Sequence, residues 1–201
     1  MDSVRPRACR LAMTASDKRP LPAFGFLTIV EQADLGSIGG YLVLNAAGRP
    51  LEFHCTVPVK PNRAQEILFG RTLKPFLFGE QIGATLLGKT KLQPLLVFTD
   101  SVPALAVREF SSVPVLLVPR VPEPVVGEPA VEVAVEVGPS LLSFSLGKQT
   151  VAALSHAGTD REEALSQWLP IFDGLDLHEP FARIREAIEE AQRGARSGAA
   201  A

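Results

Sequence analysis

Residues Gln93 to Val118 constrain the fold more than any other stretch of this chain. Leu95-Leu96-Val97-Phe98 is a continuous apolar run, the pattern of a strand covered on both faces. Thr99-Asp100-Ser101 ends that run with helix-capping chemistry, and Pro103 suits an early helix position. Ala104 to Phe110 has room for two helical turns, and Pro114 to Val118 is a second apolar run. A strand that returns beside its neighbour after such a helix must cross over, almost always with the right hand. Any ligand crevice is therefore expected at the carboxyl ends of the Leu95–Phe98 and Val115–Val118 strands.

Upstream, Phe24 to Glu31 reads as a first strand, Gln32 to Gly40 as a glycine-bearing loop and Tyr41 to Leu44 as a second strand, apolar on both faces. Asn45 to Pro50 is a hairpin loop. Leu51 to Val57 alternates, with Leu51, Phe53, Cys55 and Val57 on the face expected to be buried and Glu52, His54 and Thr56 on the other. Asn62 with Gln65 makes a capping box, and Ala64, Ile67, Leu68 and Phe69 give the following helix an apolar face. Gly70 weakens that helix, Pro75 is expected to break or restart it, and Glu80 to Leu87 forms a further short helix.

Beyond Val118 the texture changes. Pro119, Pro122, Pro124 and Pro129 impose an extended segment unsuited to a sheet interior. Ala130 to Val137 alternates, Gly138-Pro139-Ser140 reads as a turn, and Leu141 to Leu146 as the returning strand. Residues 147–158 fit strand or helix. Thr159 or Asp160 can cap a helix through Trp168, and Pro170 stops it. Glu179 to Gln192 is an amphipathic helix with Phe181, Ile184 and Ile188 on one stripe. The expected organisation is a disordered tail over 1–21, an α/β core over 22–118, a proline-rich linker over 119–129, a C-terminal hairpin and helices over 130–193 packed on the core, and a frayed tail over 194–201. The fold class is mixed α and β, an antiparallel three-strand meander followed by α-β-α-β.

With 201 residues, 46% of them hydrophobic, the chain can bury roughly 70% of its unfolded surface. No apolar run approaches the roughly 20 residues of a membrane span, so no membrane partner is expected. Cys9 and Cys55 read as free thiols, which suits a reducing cytoplasm. The net charge of -2 hides an asymmetry: 12 basic against 7 acidic residues from Met1 to Lys91, but 4 against 13 from Glu123 to Glu190. Solvated faces of an ordinary domain explain most of this. Lys60 to Lys91 holds six basic residues against Glu66 and Glu80, a thin basis for phosphate binding.

Strong catalytic motifs are missing. There is no G-x-G-x-x-G, Walker loop or G-x-S-x-G. His54 and Cys55 are adjacent and point to opposite faces of a strand, and the Pro-Cys-x-x-Cys of a zinc deaminase does not occur. His156 and His178 are isolated. Gly36-Ser37-Ile38-Gly39-Gly40 could cradle an anion, though a tight turn is the better reading.

One resemblance stands out from the element order up to Val118, which is similar to the ribonuclease H-like fold over roughly half the chain. Its residues are Asp34 with Gly39-Gly40-Tyr41 near the second strand, Glu66 on a helix, and Thr99-Asp100-Ser101 at a strand end. Asp34 falls past the first strand, whereas the family's first aspartate lies within it, and Glu31 is the other choice. The resemblance implies clustered carboxylates holding Mg2+ or Mn2+, with two ions about 3.5–4 Å apart clamping a phosphodiester. The same residues also have plain structural roles, Glu66 at a helix dipole and Asp100 as a cap. The leading expectation is a non-catalytic interaction or scaffold module with a protein partner, docked on the exposed hairpin edge or the last helix. No catalytic or cofactor-binding residue is assigned under it. The alternative is a metal-dependent phosphodiesterase or nuclease using Asp34, Glu66 and Asp100.

Overall fold

The apolar run at residues 95–98 becomes an interior strand. In the computed structural model, which describes residues 22–120 and 141–198, one sheet contains β1 (Ala23–Gln32), β2 (Gly36–Asn45), β3 (Pro50–Cys55), β4 (Leu96–Thr99), β5 (Val115–Leu117), β6 (Leu141–Leu146) and β7 (Gln149–Leu154). Their order is β3-β2-β1-β4-β5-β7-β6. β1, β2 and β3 form the expected antiparallel meander; β4 and β5 add in parallel to β1; and the β6–β7 hairpin closes the far side antiparallel to β5. The mixed α and β class is the one the sequence implies.

Each central strand is buried on both faces, which is why its sequence is apolar without alternation. Phe24, Phe26, Leu96, Phe98 and Leu116 point to one side and meet Phe172, Phe181, Ile184 and Ile188. Leu27, Ile29, Tyr41, Val43, Val97 and Val115 point to the other and meet Leu77, Phe78, Ile82, Leu86 and Leu105. The first face is covered by the helix Glu179–Gly198. The second is covered by a π-helix, Phe76–Ala84, and a 3₁₀ segment, Val102–Phe110. Two glycines on β2 let helices approach from both sides. A Cβ at Gly39 would collide with Ile82, and one at Gly40 with Ile184.

Several local expectations need correction. β2 begins at Gly36, so the glycine run is strand and not an anion cradle. β3 is an edge strand outside the reach of the last helix; its Leu51 and Phe53 turn outward while Glu52 and His54 are half-buried. The Arg63–Phe69 helix has the capping box of Asn62 and Gln65, but buries no residue, and Leu68 is 81% exposed. Of the two expectations for Pro75, the restart holds: a new run of helical turns begins at Leu73 with Pro75 in its first turn, where no amide donor is needed. β6 pairs with β7 across Gly147, and the expected strand Ala130–Val137 lies outside the described residues together with residues 1–21 and 121–129. The last helix runs to Gly198, beyond the expected end. Asp160 is no cap: it is fully buried within the helix Gly158–Gln167 and takes the Arg108 Nε–H at 2.7 Å. Cys55 is a free, exposed thiol. No helix among the described residues is long and apolar enough to cross a membrane.

Gly40→Ala is expected to destabilise the fold by about 1–3 kcal/mol through overpacking against Ile184. Ile184→Ala removes the Cγ2 that a Cβ at Gly40 would meet, so combining it with Gly40→Ala should give less than the sum of the two losses in urea unfolding, whereas strictly additive losses would contradict the close approach.

Candidate functional site

The carboxyl ends of β1 and β4 form the point where the connections part. From β1 the chain continues to β2 on one side, and from β4 to β5 on the other. A crevice at such a switch point is where open α/β sheets place their ligands. The register sets Leu27 opposite Thr99, so the next residues, Thr28 and Asp100, lie side by side. Both point to the face covered by the last helix.

Asp100 lies at this switch point with a side chain only 3% exposed. Thr28 donates its hydroxyl to Asp100 Oδ1 at 2.6 Å. Arg185, on the last helix, donates to Asp100 Oδ2, and Arg120, just after β5, approaches the same oxygen at 3.2 Å. The expected cap role of Asp100 is therefore corrected: Ser101 is the residue at the start of the 3₁₀ segment, and no side chain caps it. Arg185 is 35% exposed and Arg120 62%, so both guanidiniums also face solvent. Burial pulls the Arg185 pKa below its ordinary value, yet a guanidinium stays protonated across the physiological range. The crevice thus carries two positive groups around one negative group.

The three carboxylates expected to share metal ions have different settings. Asp34 is exposed in the turn between β1 and β2, and its backbone carbonyl accepts from Lys60. That turn lies past Gln32, which is already four residues or roughly 13 Å of extended chain beyond Thr28. Glu66 is on an exposed helix and pairs with Arg63 at 2.9 Å. Glu31, the other choice for the first carboxylate, pairs with Lys74 at 2.9 Å. Among the described residues, no three His, Cys, Asp or Glu side chains come together as a metal site. Mg2+ and Mn2+ need several oxygen ligands. The crevice offers one carboxylate with both oxygens engaged, and two guanidiniums that would repel a cation. The residues present do not fit the implied ions.

Sequence reading missed Thr28, Arg120 and Arg185. Two of them leave a trace. Thr28 is the lone polar residue within Phe24–Val30, and Arg185 falls on the Phe181-Ile184-Ile188 side of its helix, where an apolar residue is expected.

No family model and no curated protein matches the chain. Among solved structures it is similar to endonuclease V from Ciona intestinalis in complex with a 23mer DNA containing an inosine followed by a ribo-adenosine. That likeness has 13% identity and a TM-score of 0.40, over 86% of this chain and 87% of that one. It is also similar to human ENDOV, with 11% identity and a TM-score of 0.43, over 86% of each chain. These similar structures are of nucleases and not of a scaffold or interaction module, so the comparison gives that leading expectation no support. A likeness this faint carries no site residue and no activity across to this chain.

Asp100→Ala is expected to cost about 2 kcal/mol in urea unfolding, because it leaves the half-buried Arg185 without its partner. Asp34→Asn and Glu66→Gln should each stay within about 0.5 kcal/mol. Equal effects at all three positions would contradict the geometry. Millimolar Mg2+ should leave the melting temperature unchanged, and a clear upward shift would restore the metal reading.

Proposed function

We propose that this chain handles nucleic acid, gripping a phosphodiester with Arg120 and Arg185 in the crevice between β1 and β4. The observation that carries this reading is the nearly buried Asp100, which fixes two solvent-facing guanidiniums at the switch point of the sheet. A guanidinium presents five N–H donors in a planar fork, and Asp100 engages only part of each. The remaining donors suit phosphate oxygens, which they can take in pairs. Holding the arginines in place beforehand removes much of the side-chain entropy that binding would otherwise cost.

Cleavage of the bound phosphodiester is the second reading. One observation favours it: Asp100 is a carboxylate at the carboxyl end of a central strand, where the ribonuclease H-like resemblance expects a metal ligand. It requires a divalent ion to compete with Arg120 and Arg185 for Asp100, and Asp34 and Glu66 to be recruited from the surface.

Fluorescence anisotropy with labelled RNA, single-stranded DNA and duplex DNA across a salt series tests the proposal. Affinity should fall as salt rises, and the double variant Arg120→Ala/Arg185→Ala should lower the log–log slope by about 2. Absence of binding, or an unchanged slope in the double variant, would contradict it. In the same samples, Mg2+- or Mn2+-dependent strand scission that disappears in Asp100→Asn would establish the second reading.

A further inference from the structure

On the opposite face of the sheet, at the amino-terminal end of β4, lies a cavity of about 260 Å³. Its walls include Tyr41 and Val97 from the sheet, Ala84 and Gly88 from the helical layer, and Phe110 and Ser111 from the end of the 3₁₀ segment. The Tyr41 side chain is fully buried, and its hydroxyl has no hydrogen-bond partner among the described residues. Such a group is costly to leave unpaired in a folded protein.

The sheet holds this phenol where it is. Gly25 lies beside Val97 in the β1–β4 register, and a Cβ at Gly25 would collide with the Tyr41 ring and hydroxyl. Only a residue without a side chain lets the ring and hydroxyl lie across β1 at this point, beside the cavity that Tyr41 helps to line. Burial, reinforced by the Glu52 carboxylate, raises the Tyr41 pKa well above its ordinary value, so the group is a neutral donor at any physiological pH. Nearby, Thr90 donates its hydroxyl to Glu52 Oε2 at 2.6 Å and is already satisfied. Phe110, on the wall, is itself exposed.

We propose that this cavity binds a small, neutral, mainly apolar molecule of monocyclic size, recognised by a hydrogen bond from the Tyr41 hydroxyl to an acceptor on the ligand. The volume sets the size. An apolar cavity of about 150 Å³ accommodates benzene, while drug-sized ligands occupy about 300 Å³ or more. The lining sets the charge. None of the residues that line the cavity is ionised, so a charged ligand would give up hydration without a counter-charge. The site is separate from the Asp100 crevice. It uses the other face of the sheet and the other end of β4, and it stands whether or not the chain binds nucleic acid.

The test uses benzamide, a neutral ring with a carbonyl acceptor, and toluene, a ring without one, each titrated in NMR against the full chain. The wild type should bind both at millimolar concentrations, as expected for ligands this small. Tyr41→Phe should weaken benzamide by about tenfold and leave toluene unchanged, while melting no lower than the wild type. Ala84→Leu, which extends a side chain into the space, should abolish both. The proposal is overturned if the wild type binds neither probe. It is equally overturned if Tyr41→Phe keeps full benzamide affinity, or if a folded Ala84→Leu chain still binds both.

Discussion

The parallel register of β1 against β4 underlies both sites. It places Phe24 against Leu96, Gly25 against Val97 and Leu27 against Thr99. At one end of this pairing Thr28 reaches Asp100; at the other Gly25 makes room for the Tyr41 ring beside Val97. Because successive strand residues face opposite ways, a slip of one residue would turn Thr28 away from Asp100 and bring Phe26 and Phe98 to the wrong layer. The aromatic packing opposes such a slip. Phe26 and Phe98 stack with ring centroids 5.3 Å apart, and Phe24 meets the Phe172 edge at 4.9 Å.

Charge in the crevice follows from burial. A carboxylate as enclosed as Asp100 must be compensated, and the chain does so with one hydroxyl and two guanidiniums. Sharing one carboxylate between two arginines leaves a net positive centre that faces solvent. An anion arriving there meets oriented donors, whereas a divalent cation would meet like charge. The arrangement therefore favours a phosphate over the metal ions that the element order implies.

Much of the architecture could be read from the residues. The Leu95–Phe98 run marked an interior strand because burial on both faces removes alternation. Asn62 and Gln65 marked a helix start because their two hydrogen bonds are local. The failures arise where distant parts of the chain decide. Leu51 and Phe53 alternate like core residues, but β3 lies at the sheet edge beyond the covering helix. The Leu146-Gly147-Lys148 turn has a weak local signature, so residues 149–154 fitted strand or helix equally and only their pairing with β6 decides. The arginines of the crevice come from positions 120 and 185, and nothing local ties them to Asp100. Asp160 and Arg108, fifty-two residues apart, are the same kind of case.

A double-mutant cycle between Thr28 and Asp100 tests the register most directly. Thr28→Val, Asp100→Ala and the double variant would be compared in urea unfolding. The account predicts a coupling free energy of about 1–2 kcal/mol, as a buried hydrogen bond to a charged group should give. Strict additivity, within about 0.3 kcal/mol, would mean that the two side chains do not meet and would contradict it.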